Sequence, residues 1–490
     1  MKSLLLCILL AISIKGFAQD NLSISPLQMK QDISLLKSVL YNLHPGIYRY
    51  NTKEAFEKNF SDLENLAKKR MPIKLFYLQI SQLVNKIKCG HTFPNPLNLE
   101  DSVKSMFFDD KVVPFFFKII NSKIIITNNV SNESLIKNGD EILSINNNTS
   151  SSIISKLLTV SRADGNNALQ KKLNNISNRP NDSYGNTLFD IYYPLFFPNN
   201  NKMLSIQVKN VKGIKKSYAL DYLSSSDRLK KYEALFGKVL ENENTWNCKM
   251  LNSSTTYLKF GTFAFWNSYF NWKNYIDSCF TNINKNKQIE NLVVDLRGNE
   301  GGSGNISNYI LSMLTSKPLN SESNSKICYR YLSIPDSLKK YLSTWDKSFK
   351  QPKDSSSYTL NEIGLYQTKM EVADNPILPN TNSFKGKVYL LVDAECSSST
   401  FEFAWTFQYN KLGQILGEPT GGTKQGLNGF EMFFFTMPNS KMEIDIPLVY
   451  FYHKKAKDEG IKPDILITLS QKDIYNNTDP VINYIIKSIK

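Results

Sequence analysis

Three consecutive serines stand where an apolar strand turns into a helix, a position in which a serine hydroxyl can act as a nucleophile. Residues 388–393, with the sequence VYLLVD, predict a buried strand, and Ser397, Ser398 and Ser399 precede a helix-like segment. A serine at such a turn holds its hydroxyl clear of the sheet, and the next backbone N–H points at the same reaction centre. Three serines in a row are also typical of a solvated turn, so this turn alone assigns no nucleophile.

The chain holds only three histidines, which narrows the search for a general base. His44 precedes a proline at the end of a helical pattern, which favours a structural role, and His453 lies in a late apolar strand. His91 lies just past a third helical pattern, where the preceding Gly90 gives the backbone freedom to aim an imidazole. His91 is therefore the candidate base, although lone histidines are often structural.

A glycine turn with the sequence GNEGG, residues 298–302, follows the short buried strand at residues 292–295. Its spacing differs from the GxGxxG of dinucleotide-binding loops, and no Lys-Ser/Thr pair completes a P-loop. The backbone N–H groups of Gly301 and Gly302 would suit an oxyanion hole, which stabilises the negative oxygen of a tetrahedral intermediate. The alternative is a tight turn without a chemical role.

Five motifs occur in an order that resembles peptidase family S41, which includes the C-terminal processing (tail-specific) proteases and tricorn. They are CGHT at 89–92, the strand and glycine turn at 292–302, the serine turn at 397–399, GEPTGG at 417–422 and GIKPD at 460–464. The resemblance covers most of residues 27–470. It implies an α/β fold with a ClpP/crotonase-like catalytic domain, an N-terminal helical domain and a PDZ-like β-rich domain. It also implies a serine endopeptidase that needs no metal and no organic cofactor.

The family's spacing points to Ser398 as the nucleophile. Ser398 lies five residues after Asp393 and nineteen before Gly417, as the family's serine does. Ser399 is the competing register, because Glu402 then lies three residues after the serine, a spacing that is also common in the family.

The family uses two kinds of base, and the sequence keeps both open. Tricorn-like members use a histidine, which implies His91, whereas processing proteases use a lysine, for which Lys424 is displaced by one residue. A carboxylate orients the histidine in the first branch. The matching position here is Lys457, so Glu459, two residues further on, is expected to take this role. The expected oxyanion donors are the backbone N–H groups of Ser399 and of Gly301 or Gly302.

The order of sequence patterns predicts the domain organisation. Residues 1–18 predict an export signal, because a positive start and a short apolar run precede small residues at the cleavage site. Helical periodicity predicts an N-terminal helical domain over residues 19–105, which carries the His91 turn. Short strands with a Gly-Asp turn predict a PDZ-like domain over residues 106–215. Residues 216–490 form the expected catalytic domain, with a polar insertion at 318–385.

Composition narrows the classes of partner. The net charge of +15 comes from lysines spread along the whole chain, without a compact basic helix, so we expect no nucleic-acid partner. No cysteine pair or His/Cys cluster has metal-ligand spacing. We expect an exported, periplasmic or extracellular protein with no integral membrane segment after signal removal. Its partner would be a peptide or protein substrate. The alternative is a non-catalytic protein that binds a peptide or an apolar ligand on the same scaffold.

Overall fold

A computed structural model describes residues 22–99, 107, 111–180, 187–266, 268–320, 326–369, 376–452 and 456–489. The predicted export signal and His453 lie outside these ranges. The α-helices span Pro26–Leu43, Lys53–Leu66, Ile73–Asn85, Ser150–Leu158, Leu169–Asn175, Leu188–Phe196, Ser225–Phe236, Trp272–Lys285, Gly304–Ser312, Asp336–Lys339, Ser399–Tyr409, Gln471–Asn476 and Pro480–Ser488. None of the described helices combines the length and apolarity that a bilayer-spanning segment needs.

A mostly parallel sheet forms the centre of the C-terminal half. Its strands lie in the order Ile465–Leu466, Gln414–Gly417, Lys387–Val392, Asn291–Asp295, Thr255–Phe260 and Trp246–Asn252, of which only the last pairs antiparallel to its neighbour. Every residue of Asn291–Asp295 is buried, as expected for a parallel strand covered on both faces. The predicted strands at 292–295 and 388–393, and the predicted α/β class, are thereby confirmed.

Helices cover both faces of this parallel sheet. One apolar core packs Trp272–Lys285, Gly304–Ser312 and Ser399–Tyr409 against the sheet. A smaller core packs Pro480–Ser488 on the opposite face. Strand, turn and helix therefore alternate here, and both chemically interesting turns follow the carboxyl ends of neighbouring strands.

A second sheet is antiparallel and includes part of the predicted polar insertion. Its strands lie in the order Leu342–Ser343, Asn428–Thr436, Glu443–Tyr452, Lys326–Tyr329, Tyr366–Thr368 and Tyr358–Leu360. Four of these six strands come from residues 318–385. The insertion is thus partly built into a sheet, and a polar composition alone gave no sign of it.

A third sheet, also antiparallel, precedes the parallel one in the chain. It contains Phe115–Ile120, Lys123–Asn129, Glu141–Ile145, Met203–Lys209 and Lys215–Asp221, and the short strand Asn148–Thr149 pairs with Glu141–Ile145. The Gly-Asp turn before Glu141–Ile145 places Gly139 at φ 88°. The last strand begins at the predicted domain boundary at residue 215, so this sheet extends past it. Its PDZ-like character stays a prediction.

The N-terminal helices share one apolar core with the third sheet and with the long strands of the second. The first helix, Pro26–Leu43, begins with a capping box at Ser25 and a proline in its first turn. Its apolar residues recur every three or four positions and are buried: Met29, Ile33, Leu36, Leu40 and Leu43. The predicted helix is confirmed, and it ends where His44 and Pro45 interrupt the pattern. Two short strands, Ser23–Ile24 and Met71–Pro72, pair beside it.

A buried ion pair joins the helices Leu188–Phe196 and Ser225–Phe236, and we predict that removing one partner strongly destabilises the fold. Arg228 is 0% exposed, and its two terminal nitrogens lie 3.0 and 2.6 Å from the Asp190 carboxylate oxygens. Asp190→Asn leaves a buried guanidinium short of its counter-charge. We expect it to lower the free energy of unfolding by about 3–5 kcal/mol in urea titrations. Asp62→Asn removes the exposed pair with Lys58 and should cost less than about 1 kcal/mol. Equal losses would contradict the prediction.

Candidate active site

Ser398 lies at a strained turn between the strand Lys387–Val392 and the helix Ser399–Tyr409. Its φ of 52° and ψ of −130° lie in a region that non-glycine residues rarely adopt and that costs about 1–3 kcal/mol. Asp393 supports this turn, because one of its carboxylate oxygens accepts the N–H of Glu395 and the N–H of Gly298, each at 3.0 Å. The same oxygen therefore joins the serine turn to the glycine turn.

The three serines have different environments. The Ser397 hydroxyl donates to the backbone oxygen of Glu300 at 3.2 Å. The Ser399 hydroxyl is buried and has no partner among the described residues. Ser398 is half-buried, and its hydroxyl makes no hydrogen bond within the described part of the chain. Of the three hydroxyls, that of Ser398 is therefore the one that is both accessible and uncommitted.

The glycine turn lies directly against Ser398. A Cβ atom on Gly301 would come within 2.7 Å of the Ser398 Cβ and 3.1 Å of the Ser399 nitrogen. On Gly302 it would lie 2.2 Å from the backbone carbon of Phe263. Both glycines have positive φ, 106° and 133°. Close approach and backbone conformation together require glycine at both positions.

The backbone donors near Ser398 are not equivalent. The Gly301 N–H donates to Asn299 Oδ1 at 2.9 Å, and the same oxygen accepts the Thr400 hydroxyl at 2.8 Å. The Gly301 N–H is therefore already hydrogen-bonded within its own turn and is not free to bind an oxyanion. Within the described ranges, the N–H groups of Gly302 and Ser399 donate to no protein acceptor. These two are the expected oxyanion donors that remain free to bind an oxygen.

His44 has a structural role beside the His91 turn. Its Nδ1 accepts the Gly46 N–H at 3.0 Å, which places the ring proton on Nε2. The Nε2–H then donates to the Thr92 hydroxyl at 2.7 Å. Burial lowers the pKa of His44 to about 3, so the ring is neutral and holds the His91 turn by hydrogen bonds alone.

The carboxylate beside His91 is Asp164. Asp164 is 6% exposed, and its Oδ1 accepts the Gly90 N–H at 2.8 Å. Burial lowers the pKa of His91, whereas the Asp164 charge acts to raise it. His91 Nδ1 is buried without a partner among the described residues. The other side of the ring faces Gly429, whose Cβ would lie 3.6 Å from Cε1 and 3.7 Å from Nε2.

The structure does not bring Glu459 to His91. The Glu459 carboxylate accepts from Lys462 Nζ at 2.8 Å, and the charges that act on it are those of Lys462, Lys424 and Lys457. Its neighbour Asp458 accepts the N–H of Asn166 at 2.8 Å. The stretch in which we expected the orienting carboxylate therefore supports the loop that carries Asp164.

Lys424, the alternative base, is half-buried, and its backbone lies next to that of Glu459. Its N–H donates to the Glu459 backbone oxygen at 2.9 Å, and its charge lowers the pKa of the Glu459 carboxyl after the larger effects of Lys462. In the described chain, Ser398 makes no hydrogen bond to either Lys424 or His91.

An ionic cluster around the buried Lys171 connects the two turns. Lys171 Nζ lies 2.7 Å from Glu300 and 2.8 Å from Glu395, and Arg179 lies 3.1 Å from Glu395. The Lys171 side chain is 9% exposed and that of Glu395 2%. The Lys171 ammonium holds the pKa of Glu300 well below its usual range. Because Glu300 and Lys171 also act on the pKa of His91, the imidazole lies within electrostatic range of the glycine turn.

Backbone hydrogen bonds join the remaining motifs to the serine turn. The Gly421 N–H donates to the Cys396 oxygen at 2.9 Å, and the Thr420 N–H donates to the Ile461 oxygen at 3.1 Å. In return, the Ile461 N–H donates to the Thr420 hydroxyl at 2.8 Å. The GEPTGG and GIKPD stretches therefore support the turn from behind and supply no reactive group to it.

Sequence reasoning missed four charged residues of this region: Asp164, Lys171, Arg179 and Glu395. The first three come from residues 161–183, which the sequence presents as a polar loop without periodicity. Glu395 lies within the serine motif, but nothing in the sequence indicates its buried cation partners.

Glu402 in the first turn of the helix provides a pH-dependent prediction. Burial raises its pKa from 4.5 to about 7, so the folded state becomes less stable as pH rises through this interval. Glu402→Gln should raise the free energy of unfolding by about 1–2 kcal/mol at pH 8 and leave it unchanged near pH 4. Urea titrations at both pH values measure this. Glu64→Gln on the exposed face of Lys53–Leu66 is the control, and an equal gain there would contradict the assignment.

Comparison with known proteins gives a family match over part of the chain and a shared fold. Residues 254–467 match the sequence model of peptidase family S41. No curated protein matches the chain. Mature CPAF aligns over 94% of this chain and 97% of its own, with 14% identity and a TM-score of 0.63. CPAF complexed with lactacystin aligns over 94% and 98%, with 14% identity and a TM-score of 0.63.

A weaker likeness extends to the D1 C-terminal processing protease of photosystem II, over 90% of this chain and 92% of that one. Its identity is 12% and its TM-score 0.39. The CPAF alignments show that the whole described architecture, and not the parallel sheet alone, follows one fold.

Proposed function

Because residues 254–467 match the sequence model of peptidase family S41, we propose that the chain is a serine endopeptidase with Ser398 as nucleophile and His91 as general base. The observation that carries the proposal is the serine turn. Ser398 has a strained backbone and an accessible hydroxyl, and Gly301 approaches it so closely that no side chain would fit. Strain of this kind persists only where surrounding contacts maintain it, and it is concentrated at active sites.

The chemistry follows from these groups. His91 takes the proton of the Ser398 hydroxyl as its oxygen attacks the peptide carbonyl carbon. The N–H groups of Ser399 and Gly302 bind the oxyanion that forms, and the imidazolium then gives its proton to the leaving amine. Water hydrolyses the acyl-enzyme by the same route. Asp164 stabilises the imidazolium, a role supported by the upward effect of its charge on the pKa of His91.

The substrate we propose is an extended peptide or protein segment outside the cytoplasm, consistent with the expected export signal. The β-rich sheet would act as the PDZ-like unit and bind a peptide by adding it as a strand at a sheet edge. The strand Glu141–Ile145, which follows the Gly-Asp turn, supports this part of the proposal.

One observation favours a second function, a non-catalytic binding protein on the same scaffold. The described residues contain no hydrogen bond between Ser398 and His91. In peptidases, however, such bonds are often long before substrate binds and tighten in the complex. A serine-directed fluorophosphonate separates the two functions, because a peptidase is labelled at Ser398 and a pure binding protein is not.

Ser398→Ala is expected to lower kcat/KM for peptide hydrolysis by at least about 1000-fold and to abolish fluorophosphonate labelling. Ser399→Ala should retain activity within about tenfold, because alanine keeps the backbone N–H that would bind the oxyanion. Hydrolysis of an unstructured protein substrate and mass spectrometry of the labelled peptide measure both effects. The opposite pattern would assign the nucleophile to Ser399.

The orienting carboxylate is tested with two matched variants. Asp164→Asn should lower kcat by about 100-fold or more with little change in KM. The Asp164 charge stabilises the imidazolium, which forms during the reaction and is not present when substrate binds. Glu459→Gln should change kcat less than about threefold. His91→Ala belongs in the same series, since activity retained in that variant would favour a Ser398–Lys424 dyad. A larger loss in Glu459→Gln than in Asp164→Asn would restore Glu459 to the role first expected of it.

A further inference from the structure

Cys89, His91 and Asp164 bring three kinds of metal-binding atom to one spot. The Cys89 sulfur, a His91 ring nitrogen and an Asp164 carboxylate oxygen lie within 4.8 Å of one another. Thiolate, imidazole and carboxylate are the usual protein ligands of zinc, and three such ligands with a fourth position left for water form an open site. Ligand atoms in a tetrahedral zinc site lie about 3.3–3.8 Å apart, so side-chain movements of about 1 Å would complete it.

Two buried polar atoms near this cluster lack a hydrogen-bond partner. His91 Nδ1 has no partner among the described residues, and neither does the Oδ1 of Asn428, a side chain that is 2% exposed. Asn428 lies close enough to the Cys89 sulfur to act on the pKa of its thiol. A buried polar atom without a partner costs about 1–3 kcal/mol. A cation in the cluster would give His91 Nδ1 the partner that it lacks.

The neighbouring protein cations do not neutralise this cluster. No salt bridge to Asp164 occurs within the described residues, and the cations whose charges lower the pKa of His91 are those of Arg162 and Lys171. The Arg162 guanidinium stacks 3.3 Å from the centre of the Phe93 ring. Lys171 is held by Glu300 and Glu395. Among the described residues, no cation is therefore ion-paired with Asp164.

Rigidity and access both suit a metal ion. Asp164 is fixed by the Gly90 N–H at 2.8 Å, and Cys89 is 3% exposed. His91 is half-buried, so one side of the cluster opens toward solvent at the imidazole. Metal-ligand spacing is absent from the sequence because Asp164 is 73 residues away from His91 in the chain.

We propose that Cys89, His91 and Asp164 bind a divalent cation of the zinc class, and that the bound cation switches peptide hydrolysis off. The second part rests on the role proposed for His91. On binding, the Cys89 thiol releases its proton to solvent and the sulfur coordinates as thiolate. A neutral imidazole has one nitrogen with a free lone pair. When the cation occupies Nδ1, the ring proton lies on Nε2, which then cannot accept the proton of Ser398.

Binding is tested without reference to activity by titrating cobalt(II) into the full chain carrying Ser398→Ala. We expect one cobalt per chain, a thiolate-to-cobalt charge-transfer band in the near ultraviolet, and displacement by zinc. Adding Cys89→Ser should remove the band, and adding Asp164→Asn should weaken cobalt binding at least about tenfold. Cys328→Ser, which removes another buried free thiol, should keep the band. Circular dichroism verifies that each variant is folded. Absence of the band, or its persistence in the Cys89→Ser chain, overturns the site.

The inhibitory role is tested in the chain with its serine intact. Micromolar zinc should lower the rate of peptide hydrolysis at least tenfold, and a chelator should restore it. In Cys89→Ser, the ratio of rates with and without zinc should return to near one, each measured against that variant's own metal-free rate. Cobalt binding without inhibition of hydrolysis would overturn the switch. If the chain hydrolyses no peptide, the proposed function and the switch fail together, while the cobalt titration still decides the site.

Discussion

The buried ammonium group of Lys171 joins two turns that would otherwise repel each other. Glu300 lies in the glycine turn and Glu395 lies two residues before the serine turn, and Lys171 contacts both at less than 3 Å. Burying a charge is costly unless it is paired. The Lys171 charge is paired with one carboxylate from each of the two turn regions. The distance between Gly301 and Ser398, and with it the shape of the oxyanion site, therefore depends on a lysine from outside the parallel sheet.

Sequence patterns predicted the parts of this site that follow regular structure. The strands at 292–295 and 388–393 are short, apolar and followed by turn residues, and adjacent parallel strands place their carboxyl-terminal turns side by side. Register in the family then singled out Ser398. The sequence pattern also predicted the first helix. Its apolar residues recur with the helical period, and the capping residues stand at the position where that period begins.

The carboxylate beside His91 could not be predicted in this way. Asp164 lies in a polar segment without period, and its position depends on hydrogen bonds to the backbone at Gly90 and on the support that Asp458 gives to the next residues. Counting along the chain from the GIKPD stretch led to Glu459, one residue from the carboxylate that supports this loop. Contacts between segments far apart in sequence, which a single sequence does not reveal, decide which acid faces the imidazole. The strands of the polar insertion were missed for the same reason, since they pair with Asn428–Thr436, with Glu443–Tyr452 and with each other.

The candidate site therefore belongs to no single unit of the fold. Ser398 follows a strand of the parallel sheet, and His91 lies in the turn after the N-terminal helices. Gly429, beside the imidazole, lies in the strand Asn428–Thr436 of the second sheet. Asp164 and Lys171 come from the segment between strands of the β-rich sheet. Each of these parts of the fold supplies one or two residues of the site. The polar contacts among these residues form only when the parts are packed together. Loss of packing between the units would separate these groups while each sheet remains folded, so the site is expected to be less stable than the sheets that carry it.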